Sequence, residues 1–239
     1  MGAIDGKHVR IRCPQSFGSQ FYNYKSYFSV HLQAIVDAKY KFMTVDITAY
    51  GRQSGSGVFT ESSVFRHLEA GSFNLPSPRQ ISRTNITLPY VLVGDQGCPL
   101  KEYLMRPYPT DNDIVSRQIE IFNYRLSRAQ RTVDCAFGIL VAKWRCLKTE
   151  LQANQEHVHT TIRTVCLLHC IIIDKEGVNE TVAMTQITPK TTVMFEAQGA
   201  TTVLNKMHVV YETGSCNILI LKAQLIFNNK NRAYIIQTK

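Results

Sequence analysis

Three aspartates stand where carboxylates could act together: Asp5 in "IDG", Asp95 in "VGD" and Asp134 in "RTVDCAFGIL". Carboxylates gathered at one place repel each other unless a cation lies between them. Hard divalent ions such as Mg²⁺ and Mn²⁺ take oxygen ligands of this kind and keep waters and substrate phosphates in the rest of the shell. Two such ions about 4 Å apart activate a water and stabilise the leaving oxygen of a phosphodiester. Each residue also has a plainer reading. Asp5 is a turn residue before Gly6, Asp95 a loop cap in "GDQG", and Asp134 an i,i+3 partner of Arg131 on a helix surface. Which reading holds depends on whether the chain brings the three to one place.

The elements that must do so are legible in outline. Val9, Ile11 and Cys13 alternate with His8, Arg10 and Arg12, which predicts a half-buried strand with Asp5 at its beginning and Pro14 at its end. "SYFSVHLQAIVDAKYKFMTVDITAYG" predicts two further strands hinged at Asp37 to Lys39, completing a three-stranded meander. "SGVFTESSVFRHLEAG" predicts a helix capped by Ser56 and stopped by Gly71. "LPYVLVGD" is a continuous apolar run, as expected of a strand buried on both faces, and Gly94 and Gly97 permit a tight turn around Asp95.

Between residues 112 and 147 apolar residues recur at spacings of three and four, from Val115 through Phe122, Leu126, Val133 and Leu140 to Leu147. This predicts one long amphipathic helix, or two in line, started by Asp111 or Asp113 and weakened at Gly138. A second helix is predicted from Gln155 to Lys175, with Val158, Ile162, Val165, Cys166, Leu168, His169 and Ile172 inward. The order of elements is that of an α/β fold. Sites in open α/β sheets form beyond strand ends, and a helix laid over the sheet can lower Asp134 into the same place.

With 239 residues and 44% hydrophobic content the chain can bury a real core, and its net charge of +9 points to phosphate-bearing partners, nucleic acid first. The seven cysteines include no CxxC pair, so neither a disulfide framework nor a zinc ribbon is expected. Cys166, His169 and Cys170 fall within one helical turn, but no second ligand pair accompanies them and buried packing is the expectation. No phosphate-cradling P-loop is present, which disfavours ATP chemistry. No apolar run is long enough for a membrane span, and a soluble nuclear or cytoplasmic protein is expected. Arg125, Arg128 and Arg131, with Lys143 and Arg145, either track a phosphate backbone or form a solvated helix face. His8 is either close to the phosphate or simply exposed on a strand face.

Six blocks in order carry a more specific signal: "GAIDGKHVRIRCP", "FYNYKSYFSVHLQAIVDAKYKF", "GRQSGSGVF", "LPYVLVGDQGCPLKEYLMRPYP", "IFNYRLSRAQRTVDCAFGILVAKWRCL" and "TVCLLHC". Over roughly residues 2 to 177 the chain resembles the PIF/Harbinger transposase-derived nucleases, the DDE superfamily endonuclease domain. The resemblance implies an RNase H-like mixed sheet flanked by helices, and a divalent-metal site, Mg²⁺ or Mn²⁺, that hydrolyses or transfers DNA phosphodiesters. It implies that Asp5 and Asp95 are the first two acids of that site and that Asp134 stands where the family has a glutamate.

Three departures accompany it. Asp134 is one methylene shorter than glutamate, about 1.5 Å of reach. Gly55 stands where a further metal-associated aspartate is usual, and Cys170 where the family generally has asparagine. The first block opens at the second residue, so the helix-turn-helix that commonly precedes it is not expected, and target recognition would fall to a separate DNA-binding protein. Two accounts of the function stay open: an active metal-dependent endonuclease, or a catalytically decayed, domesticated descendant serving as an interaction module. Residues 1–177 are expected to form the nuclease domain and 178–239 a divergent tail.

Overall fold

The computed structural model describes residues 2–15, 18–53, 55–73, 75–80, 85–109, 117–177, 224–228 and 232–236. In chain order the elements are β1 (Ala3–Arg10), α1 (Gly18–Phe21), β2 (Ser29–Val36), β3 (Phe42–Tyr50), α2 (Gly55–Glu61), α3 (Ser63–Glu69), β4 (Arg79–Gln80), β5 (Thr87–Leu88), β6 (Leu92–Val93) and β7 (Leu104–Met105). They are followed by α4 (Arg117–Lys143), a 3₁₀ turn (Arg145–Lys148), α5 (Gln155–Glu176), β8 (Gln224–Asn228) and β9 (Arg232–Ile236).

The main sheet has the order β3-β2-β1-β6-β7. The first three strands form the antiparallel meander expected from the sequence, while β6 and β7 run parallel to β1, so the sheet is mixed. Alternation along the strands sorts their side chains onto two faces. Ala3, Val9, Leu32, Ala34 and Val36 meet Val133, Ala136, Phe137 and Leu140 of α4 and Val158, Ile162 and Val165 of α5. On the opposite face Ile4, Ile35, Leu92 and Leu104 meet Phe59 and Leu68 of α2 and α3. Helices therefore cover both faces of a mixed sheet, which is the RNase H-like arrangement. Leu92 lies in the second of these clusters and Val93 packs with Met105, Phe122 and Leu126 toward α4, so β6 is buried on both faces as its apolar run suggested.

Several boundaries differ from expectation. β1 starts earlier and ends at Arg10, because Ile11 leaves it to bridge Leu151 and the Arg12 amide donates to the Leu151 carbonyl. Asp5 therefore lies inside the strand rather than at its beginning. The helix expected over residues 56–71 is two helices, α2 and α3. They break at Ser62, whose hydroxyl donates to the Phe59 carbonyl and accepts from the Phe65 amide, capping α3. Ser56 lies in the first turn of α2 instead of capping it, whereas Gly71, with φ of +63°, stands where the stop was expected.

"LPYVLVGD" contributes only Leu92–Val93 to the main sheet. Thr87–Leu88 pairs with Arg79–Gln80 in a separate two-stranded sheet, and Pro89, which has no N–H to give to a ladder, separates the two. α4 runs unbroken through Gly138. The proposed caps Asp111 and Asp113 lie outside the described residues. From 178 onward the described residues are β8 and β9, which pair as an antiparallel hairpin.

Candidate active site

β1 and β6 run in the same direction, with Ala3 opposite Val93 and the Val93 amide donating to the Gly2 carbonyl at 3.0 Å. Asp5 lies within β1 two residues beyond that pair, and Asp95 lies two residues beyond it in the turn that follows β6. The Cys98 thiol registers both carboxylates. Its pKa is pushed up to about 12, chiefly by burial, then by Asp95, with Asp5 adding a smaller effect. The thiol stays protonated and unreactive.

Local hydrogen bonds orient the two acids. Asp5 Oδ1 accepts the Gly6 amide at 2.7 Å. Asp95 Oδ1 accepts the Cys98 amide at 3.1 Å, so the loop-cap reading of Asp95 is realised in this turn. Gly94 is required for close approach here: a Cβ on it would stand 2.7 Å from the Cys98 sulfur. Asp5 is half-buried and Asp95 exposed.

α4 crosses β1 at a defined point. Gln130 Nε2 donates to the Ile4 carbonyl at 2.6 Å, and Asp134 follows one turn later, about 6 Å along the helix. Val133 and Ala136, on either side of Asp134, are fully buried in the main core. Asp134 itself is exposed. Lys7, which shares the α4 face of β1 with Asp5, interacts electrostatically with both Asp134 and Asp5. Its pKa is nevertheless lowered, first by burial and then by Lys25, with the two acids opposing the shift.

The structure thus brings Asp5 and Asp95 within electrostatic reach of Cys98, and Asp5 and Asp134 within reach of Lys7. Among the described residues, however, no three His, Cys, Asp or Glu side chains gather closely enough to share a metal ion. The donor set itself, three carboxylates and no sulfur, suits Mg²⁺ or Mn²⁺.

Sequence reasoning missed a polar cluster on the other face of β1 and β2. His8 pairs with His31, and Gly6 with Gln33, across the antiparallel ladder. A Cβ on Gly6 would stand 2.0 Å from His31 Cε1, so only glycine allows the imidazole to lie across the strand next to Asp5. His31 is 3% exposed, and its Nδ1 and the Gln33 Oε1 are buried with no hydrogen-bond partner among the described residues. Burial, reinforced by His8, lowers the His31 pKa to about 4. His8 is half-buried rather than exposed: its Nδ1 lies 3.0 Å from the Ser29 hydroxyl and its ring meets those of His31 and Tyr24. The strand pattern concealed this cluster because His31 and Gln33 occupy alternate positions of what reads as an ordinary polar face.

The remaining candidates fall into place as packing or surface groups. Cys166 and His169 are buried as expected and Cys170 is half-buried; the His169 Nε2 lies 2.8 Å from the Tyr40 carbonyl and Cys170 donates to the Phe42 carbonyl at the start of β3. Lys143 pairs with Glu176 at 2.9 Å, and the Arg128 guanidinium lies 5.9 Å from the Tyr124 ring centroid.

Comparison with known proteins agrees with this architecture. The profile of the DDE superfamily endonucleases matches residues 4–170, a span that contains all three aspartates. A protein named ALP1-like from Arabidopsis thaliana is 29% identical over 178 residues, covering 73% of this chain and 43% of its own. HARBI1 of Homo sapiens, named as a candidate nuclease, is 25% identical over 177 residues, covering 73% of this chain and 46% of its own. HARBI1 of Bos taurus is 24% identical with the same coverage. The chain spans less than half the length of these relatives. No solved structure gives a significant match.

Two outcomes follow from the His31 geometry. Gly6→Ala is expected to lower stability by about 1–3 kcal/mol in urea denaturation through overpacking, and His31→Ala in the same chain to recover part of the loss. The second concerns pH. Between pH 6.5 and about 4 the unfolded chain binds a proton on His31 that the folded chain refuses. Stability therefore falls as pH drops through that window, and His8, His159 and His169, whose pKa values burial also lowers, act with the same sign. Urea midpoints measured from pH 7.5 to 4.5 are expected to fall less steeply for His31→Gln than for the natural chain.

Proposed function

The chain belongs to the DDE superfamily endonucleases, of the Harbinger-derived nuclease type, and on that premise we propose that it is a metal-dependent DNA endonuclease hydrolysing phosphodiester bonds at Asp5, Asp95 and Asp134. The observation that supports the reading is the parallel pairing of β1 with β6, the strand that holds Asp5 beside the strand that leads into Asp95, with α4 bonded to β1 at Ile4 one turn before Asp134.

The carboxylate oxygens of Asp5 and Asp95 would hold Mg²⁺ or Mn²⁺, with Asp134 as the third ligand. A bound ion of this kind supplies a water acidic enough to serve as nucleophile and neutralises charge on the leaving oxygen. The chain's own contribution is positional. The Gly6 amide orients Asp5, the Cys98 amide orients Asp95, and Gln130 fixes α4 on the Ile4 carbonyl. The net charge of +9 favours a polyanionic substrate. DNA is the proposed partner and the nucleus the proposed place of action, with a separate DNA-binding protein supplying target recognition. No helix among the described residues is long and apolar enough to cross a membrane.

A second reading, a decayed descendant that keeps the fold as an interaction module, is favoured by a specific observation: three metal-ligating groups do not gather among the described residues. Gly55, where a further acid is usual, opens no strained contact if that acid is restored, because its Cβ would have no neighbour within 4 Å.

A plasmid-nicking assay with Mg²⁺ or Mn²⁺ separates the readings. The nuclease reading expects Asp5→Asn and Asp95→Asn each to reduce nicking by at least about a hundredfold, the scale of losing a residue that stabilises the transition state. Nicking indifferent to both substitutions contradicts it. A natural chain that is inactive under both metals, but gains nicking in the combined Gly55→Asp, Asp134→Glu variant, establishes decay.

A further inference from the structure

Between Asp5 and Asp37 the chain has no acidic residue, whereas Lys7, Arg10, Arg12 and Lys25 all fall there. Within that stretch the segment from Tyr22 to Phe28 forms a tight loop closed by a bridge between its two end residues. The loop presents an aromatic ring to solvent: Tyr24 is 80% exposed, more than any other large hydrophobic side chain among the described residues.

The ring is held in place by a buried scaffold. Asn23 is 3% exposed; its Oδ1 accepts the amides of Lys25 at 2.9 Å and Tyr27 at 3.4 Å, and its Nδ2 donates to the Ser29 hydroxyl at 2.8 Å. The backbone adds two bonds, from the Asn23 amide to the Tyr27 carbonyl and from the Ser26 amide to the Asn23 carbonyl. Ser26 adopts a φ of +63°, a left-handed conformation that this bonding sustains. Solvent exposure of a tyrosine on so well-tied a loop gains nothing for folding, because the ring buries almost no area.

Its neighbours are the groups that would meet a nucleotide. The Lys25 ammonium lies 5.4 Å from the Tyr24 ring centroid, and the His8 ring meets Tyr24 edge-on at 5.5 Å. Lys25 acts electrostatically on His8 and on Lys7, and Lys7 in turn faces Asp5 and Asp134. The loop thus touches both faces of β1: Tyr24 meets His8 on the face toward α2 and α3, and Lys25 acts on Lys7 on the face that carries Asp5.

We propose that the Tyr22–Phe28 loop is a docking platform for an unpaired nucleotide of the DNA strand next to the cleavage site, with Tyr24 stacking on the base and Lys25 taking the adjoining phosphate. An aromatic face of this kind recognises a base only where the base's own face is open. In a continuous duplex each base is already stacked on both sides, so the platform selects splayed, frayed or single-stranded DNA. Lack of acidic side chains in the surrounding stretch keeps phosphate repulsion away, and the rigid loop lowers the entropy lost on binding. The inference rests on the nuclease reading for its substrate class.

Fluorescence anisotropy tests it in EDTA, where metal-dependent cleavage does not intervene, with the full chain and two labelled DNAs: a fully paired duplex and the same duplex with a three-nucleotide unpaired bubble. The natural chain is expected to bind the bubble more tightly. Tyr24→Ala is expected to weaken bubble binding about tenfold, in the range of losing one stacked base, and to leave duplex binding unchanged. Tyr24→Phe, which keeps the ring, is expected to retain the preference. Equal bubble binding by the natural chain and Tyr24→Ala overturns the platform and leaves the nuclease reading standing. Absence of binding to either DNA by the natural chain overturns both.

Discussion

The pairing of β1 with β2 on one edge and with β6 on the other leaves this strand no freedom to slide, and α4 then clamps it from above through the Gln130 bond to the Ile4 carbonyl. A one-residue slip of β1 would turn Asp5 toward the opposite face and bury Ile4 or Gly6 in the wrong layer. The register is held from both faces: Ala3 and Val9 are locked into the core with α4, while Ile4 is locked into the core with α2 and α3. Because of that double constraint, the position of one carboxylate is set by the packing of the whole sheet.

Much of this was legible in the sequence because it depended on periodicity. The long repeat of apolar residues around Val133 and Leu140 located α4, and the continuous apolar run located the buried strand β6, which leads into Asp95. The ordered blocks then assigned Asp5, Asp95 and Asp134 to one family pattern. What stayed hidden depended on contacts between segments distant in sequence. The early end of β1 follows from Ile11 and Arg12 pairing with Leu151. The break between α2 and α3 is the local exception, made by two hydrogen bonds of Ser62 to residues three positions away on either side. The role of Gly6 is invisible without His31, which is distant in the chain yet lies across its Cα. No reading of local pattern could supply Leu151 or His31 as partners.

Electrostatics divides β1 into two working faces. Toward α4 it carries Asp5 and Lys7, and the Lys7 charge interacts with both Asp5 and Asp134. Toward α2 and α3 it carries Gly6 and His8, which with His31 form a neutral, half-buried cluster under the Tyr24 loop. Opposite charges two positions apart on one strand suit the proposed site, where carboxylates would attract cations and the surrounding basic residues a polyanion. The shorter Asp134 is the place where this arrangement is least complete, since a helix fixed by Gln130 and by buried Val133 and Ala136 has little room to lower a shorter side chain farther.

The convergence of the three acids on one cation is the central claim, and paramagnetic broadening reads it directly. Substoichiometric Mn²⁺ added to the isotopically labelled chain should broaden the backbone amide resonances of Gly6, Gln96 and Cys135 together, each being the neighbour of one proposed ligand. Loss of Gly6 and Gln96 with Cys135 unaffected, or broadening confined to acids elsewhere on the surface, would contradict a shared site.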